Sequence, residues 1–295
     1  MVGFSGGRDS SYVLLKLVKD YGMKVLAANY ENPFTVPQAK ANIENAIKAL
    51  NVDIVHFEDG HKVHKRTVRS ALAAWLKKPS PALIPMVCIG CKPGWVPICR
   101  IARKHDIHCI ASGVNPFEVI SFKRELVGIS RDESRGPAFL KYIYSLREIV
   151  KNPAYFSPSV VLTLMKAYLF GHPASIGMRL LWPNITWLPL FDYVEWNEQE
   201  VLSRIKAELG WDSPPEIAST WRFDCRVKHL VDYMYLKTLN MTDKDDFYAK
   251  MVREGLITRE DALRRIQNEN KLYLDEVQLC LNQAGMEDIS FLDQL

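Results

Sequence analysis

The sequence predicts an α/β protein, a parallel sheet with helices on both faces followed by a helical C-terminal region. Three observations carry this. As far as Gly113, short apolar runs alternate with segments whose apolar residues recur at helical spacing. Those helical segments are long enough to be the crossovers that parallel strands require. Beyond Pro137 the strand signal fades and the pattern is helical almost throughout.

The first strand has only Val2 to Phe4 before "SGGRDSS", so either it is short or the natural chain begins earlier. Tyr12 onward has helical spacing and stops on Gly22, a glycine suited to a C-cap. Lys24–Asn29 reads as a second strand, Val36–Leu50 as a helix and Asp53–Phe57 as a third strand. Helices follow over about Lys62–Lys77 and Pro97–His105, then a strand over His108–Ser112. From 137 to 182 the pattern is helical, aromatic-rich and apolar. Trp187–Val194 leads into a charged amphipathic helix, Asn197–Leu209, behind an Asn cap. After Pro214-Pro215 the chain stays helical, with a turn at Gly255 and a near capping box at Thr258-x-x-Asp261. The expected division is a nucleotide-binding domain over 1–200, with a helical insertion at about 137–182, and a helical subdomain over 201–295.

With 295 residues, 48% hydrophobic and 24% charged, the chain can bury a substantial core. Its formal net charge of +4 suits an anionic small molecule and does not by itself demand nucleic acid. The strongest membrane candidate, "VVLTLMKAYLF" over Val160–Phe170, is too short to span and contains Lys166. Six cysteines without a signal peptide or an even-looking framework point to a reducing compartment, so a cytoplasmic protein with no membrane span is expected.

Ligands of parallel α/β sheets sit beyond the carboxyl ends of the strands. That edge collects three loops: Ser5–Ser11, Asn29–Asn32 and Gly113–Glu118. In the first, Gly6 and Gly7 let the backbone approach a ligand, and the first N–H groups of the helix favour an anion. Ser5, Ser10 and Ser11 add hydroxyls, and Asp9 can cap the helix or reach a magnesium ion carried by phosphate. Neither G-x-x-x-x-G-K-[ST] nor G-x-G-x-x-G is present.

"SGGRDSS" resembles the PP-loop of the ATP pyrophosphatase superfamily, whose members cleave ATP between the α and β phosphates and adenylate a substrate oxygen. The resemblance implies a Rossmann-like sheet of the PP-loop/HUP type. It makes Ser5, Gly6, Gly7, Asp9, Ser10 and the adjacent Ser11 the pyrophosphate-binding residues, with Asp9 and Arg8 as catalytic candidates. It also nominates Asn29, Tyr30 and Glu31 near adenine and ribose, and Gly113 and Asn115 in a second ATP loop. Arg8, Lys123, Arg124, Arg131 and Arg135 are candidate partners for developing charge.

Cys88-Ile89-Gly90-Cys91 is a C-x-x-C, which presents two thiolates to one metal, and Cys225 is the preferred third ligand. Cys109 and Cys280 read as buried small hydrophobes, and Cys99 lies within a predicted helix. Three thiolates suit a [4Fe-4S] cluster with one open iron, or Zn²⁺ completed by His or water. The tRNA-sulfurating branch of the superfamily has a similar layout, but there paired arginines typically follow the C-x-x-C, where this chain has "CIGCKPGW".

"SGGRDSSY", "WLPLFDYVEWNEQEV", "DCRVKHLVDYMYLK" and "MVREGLITREDALRR" are together similar to the N-acetyl sugar amidotransferase branch, which acts in surface-polysaccharide biosynthesis. The resemblance implies adenylation of a carbonyl or carboxylate oxygen of a nucleotide-activated sugar, then displacement of AMP by ammonia. It implies ATP with Mg²⁺ and an ammonia-supplying glutaminase partner; a homodimer is left open. The alternatives are an iron-sulfur-dependent tRNA sulfurtransferase and a non-catalytic adenine-nucleotide sensor.

Overall fold

The computed structural model describes residues 1–58, 61–126 and 140–286. Five strands, β1 (Val2–Gly3), β2 (Leu26–Tyr30), β3 (Asp53–Phe57), β4 (Cys109–Ser112) and β5 (Thr186–Pro189), form one all-parallel sheet in the order β3-β2-β1-β4-β5. Val2 pairs with Ala27 on one side and Ala111 on the other, so the shortest strand is central. Val2 and Ala27 are fully buried and Ala111 nearly so, the environment in which a strand reads as an unbroken apolar run.

Helices α1 (Arg8–Lys19) and α2 (Pro37–Leu50) follow β1 and β2, α3 (His61–Lys77) follows β3, and α4 (Trp95–Lys104) leads into β4. Helices α5 (Phe122–Leu126), α6 (Leu140–Lys151), α7 (Pro158–Phe170) and α8 (Ile176–Leu181) lie between β4 and β5. After β5 come α9 (Glu198–Leu209), α10 (Val227–Leu239), α11 (Asp243–Arg253), α12 (Arg259–Glu269) and α13 (Leu274–Ala284). Within the sheet unit α1 packs on α2, and α9, which follows β5, packs on both. The strand order reverses between β1 and β4, where the sheet leaves a crevice at its carboxyl edge.

Two compact units divide the chain. The first, Met1–Asp59, Gly94–Glu118 and Ile176–Cys225, holds the whole sheet with α1, α2, α4, α8 and α9. The second, Gly60–Pro93, Val119–Ser175 and Arg226–Leu295, holds the other helices. A boundary at 200 therefore cuts the chain differently from the structure. The sheet unit runs on to Cys225 because α9 packs on α1 and α2.

The fifth strand is not visible in the sequence pattern, which treats Trp187–Val194 as a lead into α9. Pro189 ends β5 and cannot donate to a ladder, which suits the edge position the strand occupies. Among the described residues, the helical stretch long and apolar enough to cross a membrane is Pro81–Lys104, not Val160–Phe170. It changes from a 3-10 helix (Pro81–Gly94) to α4, carries Pro85, Pro93 and Pro97, and 44% of its apolar window is buried, so no span is assigned.

The second unit has charges in its core. From Val227 to Tyr235 α10 is buried. Lys228 pairs with Asp232, Lys244 Nζ lies 3.3 Å from Asp232, and Lys123 Nζ lies 2.7 Å from Asp243. Pairing of this kind is what allows lysine and aspartate to be buried at all.

Candidate functional site

The loop Ser5–Ser11 turns the chain from β1 into α1. Gly6 is in the left-handed region at φ +76°, and a Cβ there would collide with the Ala39 carbonyl on α2, so this position requires glycine. The Gly6 carbonyl accepts from Trp211 Nε1 at 3.0 Å and from Asn42 Nδ2 at 3.3 Å. Gly7 is the N-cap of α1 without a side-chain cap. The first-turn N–H groups of α1 have no intrahelical acceptor, which is what lets a helix start hold an anion.

The serines divide by role. Ser5 and Ser10 hydroxyls lie 3.2 Å apart on the open side, and the Gly7 N–H donates to Ser5 Oγ at 3.3 Å. Ser11 is fully buried and donates to the Gly7 carbonyl at 2.8 Å, which makes it part of the helix start.

Arg8 and Asp9 point into the protein. Arg8 is 3% exposed; its guanidinium donates to both Asp9 oxygens, to Glu198 Oε1 at 2.6 Å and to Thr220 Oγ1 at 3.2 Å, and lies 5.0 Å over the Trp196 ring. Burial acts to lower its pKa, but Asp9 and Glu198 outweigh that and the pKa is raised. Asp9 also accepts from Trp196 Nε1 at 2.9 Å and Asn115 Nδ2 at 3.0 Å. Arg8 holds Asp9, and Asp9 ties α1 to the loop after β4. Asn115, 1% exposed, has the same tying role, its Oδ1 accepting the Phe117 N–H at 2.9 Å. A Cβ at Gly113 would lie 2.7 Å from the Asp9 carbonyl carbon, so this glycine permits the close packing of β4's loop on α1.

A cavity of about 220 Å³ opens at the carboxyl ends of β1 to β4. Phe4, Ser5, Asn29, Tyr30, Phe57, Trp95, Ile98, Ser112, Asp224 and Cys225 are among its walls. Asn29 is fixed by donating to the Phe4 carbonyl at 2.8 Å, with its Oδ1 3.2 Å from His56 Nδ1. Tyr30 stacks on Phe57 with ring centroids 5.6 Å apart. Glu31 is exposed, and its Oε1 is 3.9 Å from His56 Nδ1. Ser112 is 6% exposed, and its Oγ has no hydrogen-bond partner among the described residues. Aromatic walls of this kind can take a flat ring.

Two acids beside the loop are perturbed. Burial raises the pKa of Asp224, opposed by Arg222 and by a hydrogen bond from Ser5. Burial also raises that of Glu118, Asp9 adding to the rise while Arg222, the Trp221 N–H and Arg8 oppose it. Neither acid is a sequence-stated candidate, and nor are Ser112, Phe57, Trp95, Ile98, Trp196 and Glu198. Asp224 lies inside the quoted "DCRVKHLVDYMYLK" and Trp196 and Glu198 inside "WLPLFDYVEWNEQEV", so a motif marked the regions without marking the side chains.

The three thiols expected to share a metal fall in different units. Cys88 and Cys91 sit in the 3-10 helix, where Cys91 Sγ donates to the Cys88 carbonyl at 3.1 Å. Cys225 belongs to the sheet unit, bridges antiparallel to Thr35, and accepts from Asn32 Nδ2 at 3.2 Å. No group of three or more His, Cys, Asp or Glu that could hold a metal is gathered among the described residues. Lys123 is paired with Asp243 in the second unit, Arg124 lies on α5, and Arg131 and Arg135 lie outside the described residues.

In comparison with known proteins, no family model matches the chain, and no curated protein matches it.

Proposed function

We propose that the protein is an ATP-dependent, AMP- and pyrophosphate-forming amidotransferase acting on a nucleotide-activated N-acetyl sugar. The observation that carries the nucleotide part is the cavity walled by Tyr30, Phe57 and Trp95 and by Ser5, the residue that leads into the Gly6-Gly7 turn at the start of α1. The amide row supports pyrophosphate binding, and the aromatic walls support a purine. The sugar and amidotransferase parts rest on the resemblance of the four quoted motifs.

In this reading a carbonyl or carboxylate oxygen of the sugar attacks the α-phosphorus. An O–P bond forms, the bond to the β-phosphate oxygen breaks, and pyrophosphate leaves into the loop. Ammonia from a glutaminase partner then attacks the activated carbon, and the C–O bond breaks to release AMP. The protein's contribution is positioning and charge stabilisation. Ser5, Ser10 and the amides at Gly7 to Ser10 meet the leaving group, while Arg8, Asn115 and Trp196 hold Asp9 and with it the loop.

The test is product analysis with ATP, ammonia and either a nucleotide-activated N-acetyl sugar or tRNA. AMP and pyrophosphate should form, stimulated by the sugar. Release of ADP and phosphate overturns the reaction class. Stimulation by tRNA with steep salt dependence overturns the substrate but keeps the ATP chemistry, and tight binding without turnover leaves a nucleotide sensor.

A further inference from the structure

We propose that Asp224, and not the loop aspartate Asp9, is the protein ligand of the divalent cation that the nucleotide carries. The inference rests on the nucleotide reading of the same site.

Asp9 is already coordinated by the protein. Its Oδ1 accepts from Arg8 Nε at 3.1 Å and Trp196 Nε1 at 2.9 Å, and its Oδ2 from Arg8 Nη2 at 3.3 Å and Asn115 Nδ2 at 3.0 Å. A cation could take an Asp9 oxygen only by stripping donors from a buried carboxylate, which leaves those donors unpaired.

Asp224 is placed otherwise. Asp224 lines the cavity, and its carboxylate bonds the Ser5 hydroxyl and has Oδ2 3.4 Å from where a Cβ of Gly7 would stand. It therefore lies beside the Gly6-Gly7 turn. Its backbone is fixed, the Asp224 carbonyl accepting the Val36 N–H at 3.2 Å beside the Thr35–Cys225 bridge. A second observation at the same cavity also points to a ligand: Ser112 Oγ is buried and without a hydrogen-bond partner among the described residues.

Charge favours a cation here. The groups that act on one another around the turn include four carboxylates, Asp9, Glu118, Glu198 and Asp224, and two guanidiniums, Arg8 and Arg222. A carboxylate beside a phosphate-binding turn repels bare polyphosphate. A hard divalent cation bridging carboxylate and phosphate oxygens turns that repulsion into attraction. Asp224 thus selects the metal complex of the nucleotide over the free nucleotide.

The experiment titrates a non-hydrolysable ATP analogue against the full chain, with EDTA and with Mn²⁺, for wild type, Asp224→Asn and Asp9→Asn; circular dichroism checks the fold. In wild type, Mn²⁺ should tighten binding by about tenfold, the equivalent of one decade in Kd. In Asp224→Asn, metal-free analogue should bind more tightly than in wild type, and most of the manganese gain should vanish. Full retention of that gain in Asp224→Asn, or its specific loss in folded Asp9→Asn, overturns the assignment. A second measurement needs no variant: Fe²⁺ with the analogue and peroxide should cut the wild-type backbone near 224 and 5–7, and cuts confined elsewhere overturn it. Analogue binding without any metal gain sinks this inference alone. No binding under any condition sinks the nucleotide reading with it.

Discussion

The indole N–H of Trp196 donates to Asp9 Oδ1 at 2.9 Å from 187 residues along the chain. Trp196→Phe keeps the ring and removes the donor, leaving a buried carboxylate oxygen short of a partner. Urea unfolding should show a loss of about 1–3 kcal/mol, and ATP affinity should fall with it. Unchanged stability would show that this contact does not support the loop.

Arg8 and Glu198 form a buried pair, 1% and 10% exposed at their side chains. Arg8→Met strands Glu198 and part of Asp9, and should cost about 3–5 kcal/mol. Arg8→Lys should not rescue it, because an ammonium cannot reproduce the forked contacts to Asp9. A double-mutant cycle with Glu198→Gln measures the coupling; additivity within experimental error would mean that the pair is not formed.

The glycines of the turn separate fold from binding. Gly6→Ala meets both a left-handed φ and the Ala39 carbonyl, so it should destabilise severely. A Cβ at Gly7 meets Ser5 Oγ at 3.2 Å and Asp224 Oδ2 at 3.4 Å, on the ligand side. Gly7→Ala should therefore keep most of the stability and weaken nucleotide binding, as read by melting and equilibrium titration on the same preparations.

His229 predicts an acid-sensitive step. Its pKa is pushed down from 6.5 to about 4, first by burial and then by Lys228, Lys244 and Arg226 against the opposing Asp232. The unfolded chain takes up this proton from about pH 6.5 and the folded chain only near 4, so stability falls as pH drops through that window. The loss should be on the order of 3 kcal/mol. His229→Phe keeps a ring against Tyr273 and should flatten that slope in urea unfolding run across the window.

Cys225 lines the cavity, whereas Cys88 and Cys91 do not. Under the nucleotide reading, saturating ATP analogue should slow alkylation of Cys225 and leave Cys88 and Cys91 unaffected, as measured by site-resolved mass spectrometry. Equal rates at Cys225 with and without the analogue would put the nucleotide elsewhere.

What could be read in advance follows from the range of each interaction. The strand-turn-helix around Gly6 and Gly7 is local, so apolar period and glycine spacing reveal it. The roles of Arg8 and Asp9 are not, because Glu198, Thr220 and Trp196 reach them from about 190 to 210 residues away. "WLPLFDYVEWNEQEV" carries part of the family resemblance, and in it Phe191 stacks on Tyr12, Glu200 accepts from the Tyr12 hydroxyl and Glu198 holds Arg8. These acids and aromatics serve α1, and composition cannot tell a supporting acid from one that meets a ligand. Cys225 is legible as a chemically placed thiol, but its surroundings, Asn32 and Thr35, come from a loop that no spacing rule connects to it.

The 187-residue gap between Asp9 and its indole also sets an order in time. At synthesis rates of about 5–20 residues per second, roughly 10–40 s pass between the emergence of the loop and that of Trp196. Through that interval Arg8 and Asp9 are in the nascent chain without Glu198 or Trp196, so the turn cannot hold its final shape. A ribosome stalled before residue 196 would carry a chain with the whole glycine-serine signature and no organised anion site.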